Sequence, residues 1–203
     1  MNAIARELRW ASLATLLILL CACERTVFEN APAAAAAACD SSLVGRWLSQ
    51  GDNQDDDGEL EALVGTDCSL TVIEHEQAGP KRSTPTTLRH ARQGGVAYLW
   101  VDAAWANRSF DVDTTVIDHE GDVYLFAYRL RKDELQLASP PPRALAHRVL
   151  DKDIPGEVLM HEEELAVRVK GDSEAIRKVL GRHRLYRFDD PMRFRRATED
   201  DAR

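Results

Sequence analysis

The stretch VYLFAYRL at residues 123–130, followed by RKD at 131–133 and ELQLA at 134–138, decides the fold class. The two longer segments fit the period-two alternation that is typical of half-buried strands. The three polar residues between them fit a hairpin turn. This part of the chain therefore predicts two antiparallel strands of one sheet.

The same alternation recurs along most of the chain. It is clearest in LAVRVK at residues 165–170, where Leu165, Val167 and Val169 are predicted to point inward and Ala166, Arg168 and Lys170 outward. Turn residues separate the runs at Gly94-Gly95 and at 120–122. Further strands are predicted at residues 44–49, 70–75, 86–90, 96–103 and 110–117, and around Met192 and Phe194. Many short strands at this spacing predict a mainly β fold, in which an antiparallel sheet curls or closes into a small barrel.

One or two short helices are predicted near the C-terminus. The first has Ser173 as its N-cap, an apolar face that includes Ile176 and Leu180, and Gly181 as its stop. A shorter helix is predicted at residues 143–150, after the three prolines at 140–142, which favour an extended connector.

The first 22 residues have the order of an export signal: basic Arg6 and Arg9, an apolar run and then small residues. The apolar run has about ten residues, whereas a helix that spans a bilayer needs about twenty. The LCAC that follows at residues 20–23 resembles the lipobox of bacterial lipoproteins. That resemblance implies that Cys23 becomes the first mature residue and carries a diacylglyceryl thioether and usually a further acyl chain such as palmitate, which together anchor the protein durably in a membrane.

Two alternatives remain open for this terminus. Cys21 is itself a rival lipidation site, and it stands where the lipobox more often has Ala, Ser or Thr. An ordinary secretory signal, cut within residues 33–38, would instead release a soluble periplasmic protein. In bacterial lipoproteins an Asp just after the acylated cysteine favours retention at the inner membrane. Glu24 at that position therefore implies the outer membrane, with the protein facing the periplasm.

The remainder of the chain divides into a tether and one β-rich domain. Residues 23–38 are predicted as the lipidated N-terminus and a flexible tether, because 24–38 lack apolar periodicity and end in Pro32 and six alanines. Residues 39–203 have the length of a single domain. In the oxidising periplasm we expect Cys39 and Cys68 to form a disulfide, the alternative being two separate buried thiols.

The charge of the chain excludes one class of partner and suggests another. The formal net charge is −8, and an acidic protein outside the cytoplasm is a poor binder of nucleic acid. Residues 177–196 nevertheless contain eight Lys or Arg against two Asp, while residues 51–63 contain six acids and no base. Arg193, Arg195 and Arg196 are therefore candidates for a surface that meets an anionic partner. The alternative is two solvated faces that neutralise each other.

Gly45-Arg46-Trp47, at the start of the first predicted strand, resembles the Gly-x-Trp element of lipocalins. In that family the tryptophan closes one end of a barrel beneath a basic side chain. The resemblance implies a barrel whose interior could hold a small apolar ligand. The alternative is that Trp47 is an ordinary core aromatic residue.

No catalytic or metal centre is predicted, and we expect no cofactor. The loop NQDDDG at 53–58 begins like an EF-hand calcium loop, but Val64 stands where a bidentate glutamate is needed. There is no Gly-x-Ser-x-Gly element for nucleophilic catalysis. Zinc needs three or four converging ligands, and the spacing of the six histidines indicates no such site: His75, His90, His119, His147, His161 and His183.

The sequence thus predicts a noncatalytic, membrane-anchored lipoprotein of the cell envelope. Its β-rich domain would bind a protein, glycan or lipid partner. The alternative is a lipocalin-like carrier of a small apolar ligand.

Overall fold

The computed structural model describes residues 24–50, 59–76, 79–110, 119–161, 164–198 and 201. The leader with Cys21 and Cys23, the calcium-like loop at 53–58 and the strand predicted at 110–117, apart from Phe110, lie outside the described residues. The side chains of His161 and His183 also lie outside the description.

The described residues form thirteen strands and three helices. The strands are β1 (Glu24–Phe28), β2 (Gly45–Ser49), β3 (Glu59–Val64), β4 (Ser69–Glu76), β5 (Gly79–Arg82), β6 (Thr86–Thr87), β7 (Arg89–Gln93), β8 (Val96–Asp102), β9 (Val123–Arg131), β10 (Glu134–Ala138), β11 (Gly156–His161), β12 (Glu164–Val169) and β13 (Met192–Arg196). The helices are α1 (Ala103–Ser109), α2 (Pro142–Leu150) and α3 (Ser173–His183).

One curled sheet contains all of these strands. Its main path is β11-β12-β1-β9-β10-β13-β2-β3-β4-β5, while β8 pairs with β9 and β7 pairs with β8. Every described pair is antiparallel except β1 with β12. The short strand β6 pairs with β4, and the chain then continues through Leu88 into β7, which pairs with β8. The two ends of the curled sheet therefore approach each other, but the sheet is not closed into a barrel. The prediction of a mainly β fold with a curled antiparallel sheet is confirmed.

The centre of the sheet is β9, because both of its faces are apolar. Leu125 and Ala127 face one core cluster, which α2 and α3 cover. Phe126 and Tyr128 face a second cluster inside the curl, where they pack with Trp47 of β2. The hairpin from residue 123 to residue 138 is as predicted: β10 pairs with β9 from Glu134 opposite Arg131 to Ala138 opposite Ala127.

The prediction of a flexible tether at residues 24–38 is wrong for its first five residues, which form a strand of the sheet. Some of the later residues are also in contact with the domain. Strand β1 pairs in parallel with β12 from Glu24 opposite Leu165 to Phe28 opposite Val169. Val27 and Phe28 are fully buried. Residues beyond the strand also contact the domain, since Ala36 donates its backbone N–H to the carbonyl of His90 at 2.8 Å. The apolar run in β1 is too short to show periodicity, and its order comes from pairing with a distant strand.

Helix α3 differs from the prediction at both ends. Its N-cap is Asp172, whose Oδ1 accepts the N–H of Ala175 at 2.8 Å, so the predicted cap at Ser173 was one residue late. Gly181 does not stop the helix, which continues to His183 and ends at Arg184 in the left-handed conformation (φ 44°). Glycine inside a helix costs only about 1 kcal/mol, so the packed apolar face decides the length.

The disulfide between Cys39 and Cys68 is present, with a Cα–Cα distance of 5.2 Å. It joins the segment before β2 to the turn before β4. None of the helices in the described ranges is long and apolar enough to cross a membrane.

Candidate functional site

A surface cleft of about 940 Å³ lies at the β7–β8 hairpin and the end of β9, beside the C-terminal half of α3. Among the described residues that line this cleft there is no aspartate or glutamate, and there are five arginines: Arg92, Arg129, Arg131, Arg177 and Arg184. In a chain whose net charge is −8, this concave surface concentrates the opposite sign. Clefts lined by one sign of charge attract counter-ions and charged ligands.

Two local features bring these arginines together. The hairpin between β7 and β8 turns at Gly94 and Gly95, whose φ angles are 58° and 81°. Two consecutive residues with positive φ are typical of a tight type I′ turn, which glycine adopts without steric cost. This turn places Arg92 opposite Ala97, at the end of the sheet where β9 also ends. The left-handed Arg184 then ends α3 and begins the segment that carries Tyr186 and Phe188.

Aromatic rings form part of the cleft wall. Tyr98 and Tyr186 make an edge-to-face contact with ring centroids 5.6 Å apart. The guanidinium carbon of Arg129 lies 3.9 Å from the centroid of Phe188, which is a cation–π contact. The contact with Phe188 orients Arg129, which forms no ion pair with a described acid, so its positive charge is available to a ligand.

The tyrosines of the cleft are held as neutral phenols. Burial, followed by the nearby carboxylate of Asp40, raises the pKa of Tyr128 to about 12. Burial also raises the pKa of Tyr98, and it raises the pKa of Tyr186 well above the ordinary value. Each phenol is therefore protonated at neutral pH and carries an O–H that can donate a hydrogen bond.

One of these phenols has no partner within the described part of the chain. Tyr128 donates to Asp40 Oδ2 at 3.1 Å, and Tyr186 donates to the carbonyl of Leu125 at 2.9 Å. Tyr98 is only 5% exposed, yet its hydroxyl makes no hydrogen bond to any described residue. Tyr98 lines the cleft, so its hydroxyl can donate to a ligand there.

Most of the cleft arginines are likewise without an acidic partner. Within the described ranges Arg92, Arg131 and Arg184 form no ion pair. Arg177 lies 3.9 Å from Glu174, and both of those side chains are exposed, so that this pair contributes little. Guanidinium groups without a strong acidic partner can bind phosphate or carboxylate oxygens in a bidentate manner.

No protein-family model, curated protein or solved structure matches this chain. The functional interpretation therefore rests on the chain's own residues and geometry.

The Gly45-Arg46-Trp47 element lies away from the cleft and makes structural contacts. Trp47 is fully buried and donates its indole N–H to the carbonyl of Leu43 at 2.8 Å. The guanidinium of Arg196, on β13, lies 4.3 Å from the Trp47 ring, so a basic side chain does cover this tryptophan. Gly45 has φ 133°, and a Cβ there would stand 2.5 Å from Nη1 of Arg196. A side chain at position 45 would be strained mainly because φ is positive, since the flexible end of Arg196 could move away from a Cβ.

Arg46 belongs to a separate ion pair on the outer side of the sheet. It donates two hydrogen bonds to the carboxylate of Glu61, at 2.7 and 2.9 Å. His75 Nε2 lies 3.3 Å from the same carboxylate. The hydrogen bonds from Arg46 hold the pKa of Glu61 below its ordinary value, so this carboxylate stays ionised and acts as a structural partner.

The three arginines predicted as an anionic-partner surface are engaged within the protein. Arg195 makes two hydrogen bonds of 2.7 Å to the carboxylate of Asp201. Arg196 donates to the carbonyls of Val44 and Ser42, at 2.6 and 2.8 Å, and Arg193 lies 3.6 Å from Glu134. Among the described residues, the cleft is a basic surface most of whose arginines lack an acidic partner, and residues 177–196 contribute Arg177 and Arg184 to it. Sequence reasoning missed Arg92, Arg129 and Arg131, although Arg129 and Arg131 alternate along β9 as side chains on one face do.

The inner face of the curl is filled by its own side chains. Leu43, Trp47, Leu99, Trp105 and Tyr128 are buried in one cluster there, together with smaller aliphatic residues. Close packing of this kind leaves the concave side of the sheet as a core. Among the described residues no group of three or more His, Cys, Asp and Glu could hold a metal ion.

Proposed function

We propose that this chain is a lipid-anchored protein of the cell envelope, acylated on Cys23, whose β-rich domain is a noncatalytic binding module. Its ligand is an anionic partner group held in the arginine-lined cleft. The observation that carries this proposal is the set of five arginines in the cleft, with no acid among its other described lining residues. The lipobox resemblance supports the anchor, and the oxidised Cys39–Cys68 pair is compatible with an exported protein.

The chemistry of the cleft supports a ligand with phosphate or carboxylate groups and a ring. A charged group gains bidentate hydrogen bonds from the arginines, and a ring can pack on the aromatic wall. The volume of about 940 Å³ is near the upper end of small-molecule sites. A phosphorylated or carboxylated glycan unit therefore fits better than an uncharged one.

The test uses the mature chain, purified from membranes in a nonionic detergent. Glucose 6-phosphate serves as the charged probe and glucose as its uncharged counterpart, and binding is measured by titration calorimetry. We expect glucose 6-phosphate to bind and glucose not to bind. Each lost charge-assisted hydrogen bond weakens binding by about 1.5 to 3 kcal/mol. The Arg92→Gln/Arg131→Gln double variant is therefore expected to bind at least about tenfold more weakly.

The matched control is the Arg82→Gln/Arg108→Gln variant, which makes the same change of charge at exposed residues outside the cleft. It should bind glucose 6-phosphate as the unchanged protein does. Equal losses in the two double variants would mean that net charge alone governs binding. That result, or no binding of the phosphate probe, would count against the cleft as a site.

A carrier of a small apolar ligand is the second candidate. The cover of Arg196 over Trp47, which is compatible with the lipocalin-like element, favours it, and the filled inner face counts against it. Native mass spectrometry separates the two candidates. A fatty acid or similar apolar molecule retained by the protein would favour the carrier, whereas a retained anionic molecule would favour the binding module.

A further inference from the structure

The first residue after Cys23 is already part of the sheet. Glu24 pairs with Leu165 of β12, and four residues later Phe28 pairs with both Val169 of β12 and Val123 of β9. The N-terminal strand is thus held on two sides by strands from the second half of the chain.

Because Glu24 is already paired in the sheet, an anchor on Cys23 is joined to the domain without intervening tether residues. A free tether over residues 24–38 could reach about 50 Å when fully extended. Consecutive Cα atoms are about 3.8 Å apart, so residue 23 can be no farther than that from the Cα of Glu24. A lipid on Cys23 therefore fixes which part of the domain meets the bilayer.

Glu24 lies at the end of β1 where β1 and β10 separate, although both strands pair with β9. Strand β1 pairs with β9 at Val123, and β10 pairs with the same strand from Ala127 onward. Between β1 and β10 a cavity of about 240 Å³ is lined by Glu24, the connector after β10 and Met192 of β13. We call this region the fork and define it by Glu24, Arg143, Met160 and Met192.

Two of the most exposed large apolar side chains in the described ranges belong to the fork. Met160 is 67% exposed, and it pairs with Leu165, which in turn pairs with Glu24. Met192 is 46% exposed and shares the small cavity with Glu24. Flexible methionine side chains adapt to irregular apolar surroundings, so both are suited to the boundary between headgroups and acyl chains.

Two carboxylates at the fork are paired with arginines. Glu24 accepts a hydrogen bond from Arg143, whose side chain is itself well exposed. Glu164, one residue before Leu165, lies 2.9 Å from Arg25. These two ion pairs compensate the negative charge of Glu24 and Glu164. An exposed arginine beside apolar side chains is also suited to lipid phosphates.

We infer that the fork is the membrane-contacting surface of the domain, with Met160 and Met192 inserted at the interface and Arg143 at headgroup level. This inference rests on the proposed lipid anchor at Cys23. It fixes the orientation of the domain relative to the bilayer, which an anchor with a flexible tether would leave free.

The test uses the full mature lipoprotein in vesicles of phosphatidylethanolamine and phosphatidylglycerol in a three-to-one ratio. Met160→Cys, Met192→Cys and Leu150→Cys variants each carry an environment-sensitive fluorophore, and some lipids carry a nitroxide quencher near the headgroup. Leu150 is the matched control, because it is 66% exposed and lies at the far end of α2 from the fork residue Arg143. We expect quenching at positions 160 and 192 to exceed that at 150 several-fold.

A second variant separates orientation from anchoring. Inserting about twelve Gly and Ser residues between Cys23 and Glu24 adds a flexible span of about 20 Å. Quenching at 160 and 192 should then fall to the level at 150, while the protein still floats with the vesicles. Equal quenching at all three positions in the acylated, vesicle-bound protein would overturn the inference and leave the lipoprotein proposal intact. An unacylated protein that does not float would overturn both.

Discussion

At the scale of single residues, a buried ion pair ties the two halves of the chain together. Arg168 of β12 makes two hydrogen bonds to the carboxylate of Asp122, at 2.8 and 2.9 Å, and both side chains are buried. Its Nη2 also donates to Glu29, directly after β1, at 3.3 Å. The sequence indicated Arg168 as an outward-facing residue of a strand. Its burial follows from β1 and the residues before β9, which come from distant parts of the chain.

Arg168→Met should destabilise the domain by about 3 to 5 kcal/mol, because it leaves the Asp122 carboxylate buried without a partner. Urea unfolding, followed by tryptophan fluorescence, measures the change. Lys170→Met is the matched control, since the Lys170–Glu157 pair is partly exposed and should contribute about 1 kcal/mol or less. Similar losses in the two variants would contradict the structural role of the buried pair.

Glu29 should make stability depend on pH in the acidic range. The backbone N–H of Gly171 and then the guanidinium of Arg168 hold the pKa of Glu29 below its ordinary value of 4.5, against the opposing effect of burial. Because the folded-state pKa is lowered, this stabilisation is present above pH 4.5 and is lost as pH falls through the folded-state pKa. The stability difference between the unchanged protein and Glu29→Gln should therefore shrink in acid. A difference that grows as pH falls would contradict this assignment; Asp190→Asn serves as the exposed control.

At the scale of secondary-structure elements, period-two alternation predicted most of the sheet. Strands β2, β4, β8, β9, β10, β12 and β13 fall close to the predicted segments. The prediction missed β1, β3, β5, β11 and the helix α1. Strand β1 is short and is held by tertiary pairing, and α1 begins inside a segment that was predicted to be extended. The alternation of Leu60, Ala62 and Val64 in β3 was visible in the sequence but lies beside the acidic loop.

Strand β1 should contribute as much to stability as a core strand does. Phe28→Ala removes a fully buried aromatic side chain and should destabilise the domain by about 3 to 5 kcal/mol. Ala35→Ser, at an exposed position in the same predicted tether, should change the unfolding free energy by about 0.5 kcal/mol or less. Chemical denaturation of the two variants checks this. If Phe28→Ala left the unfolding free energy unchanged, that result would contradict the role of β1 and favour the predicted flexible tether.

The disulfide between Cys39 and Cys68 should also stabilise the fold. The bridge spans 29 positions and constrains the unfolded chain. On the chain-entropy model, reduction should lower stability by about 3 to 4 kcal/mol. The midpoint of thermal unfolding should therefore fall when dithiothreitol is added. The Cys39→Ser/Cys68→Ser variant should be less stable and insensitive to the reductant; a reductant effect of equal size in that variant would contradict the assignment.

At the scale of the whole molecule, the two surfaces proposed to meet a ligand and a membrane are assembled from distant segments. The cleft combines a glycine hairpin at residues 94–95, the end of β9 and the end of α3. The fork combines β1, β11, β13 and the start of α2. A sequence shows that residues 177–196 are basic, but only the fold shows that Arg193, Arg195 and Arg196 have internal partners while Arg92, Arg129 and Arg131 line the cleft. The mainly β fold could be predicted from the sequence, whereas the site required the tertiary arrangement.

The anchor at Cys23 is the claim on which both the envelope role and the membrane orientation depend. Intact-mass spectrometry of the full chain, isolated from membranes, tests it most directly. We expect a polypeptide that begins at Cys23 and carries the added mass of a diacylglyceryl group and usually a further acyl chain. A protein that retains residues 1–22, or one that begins later in the chain without lipid, would contradict the account.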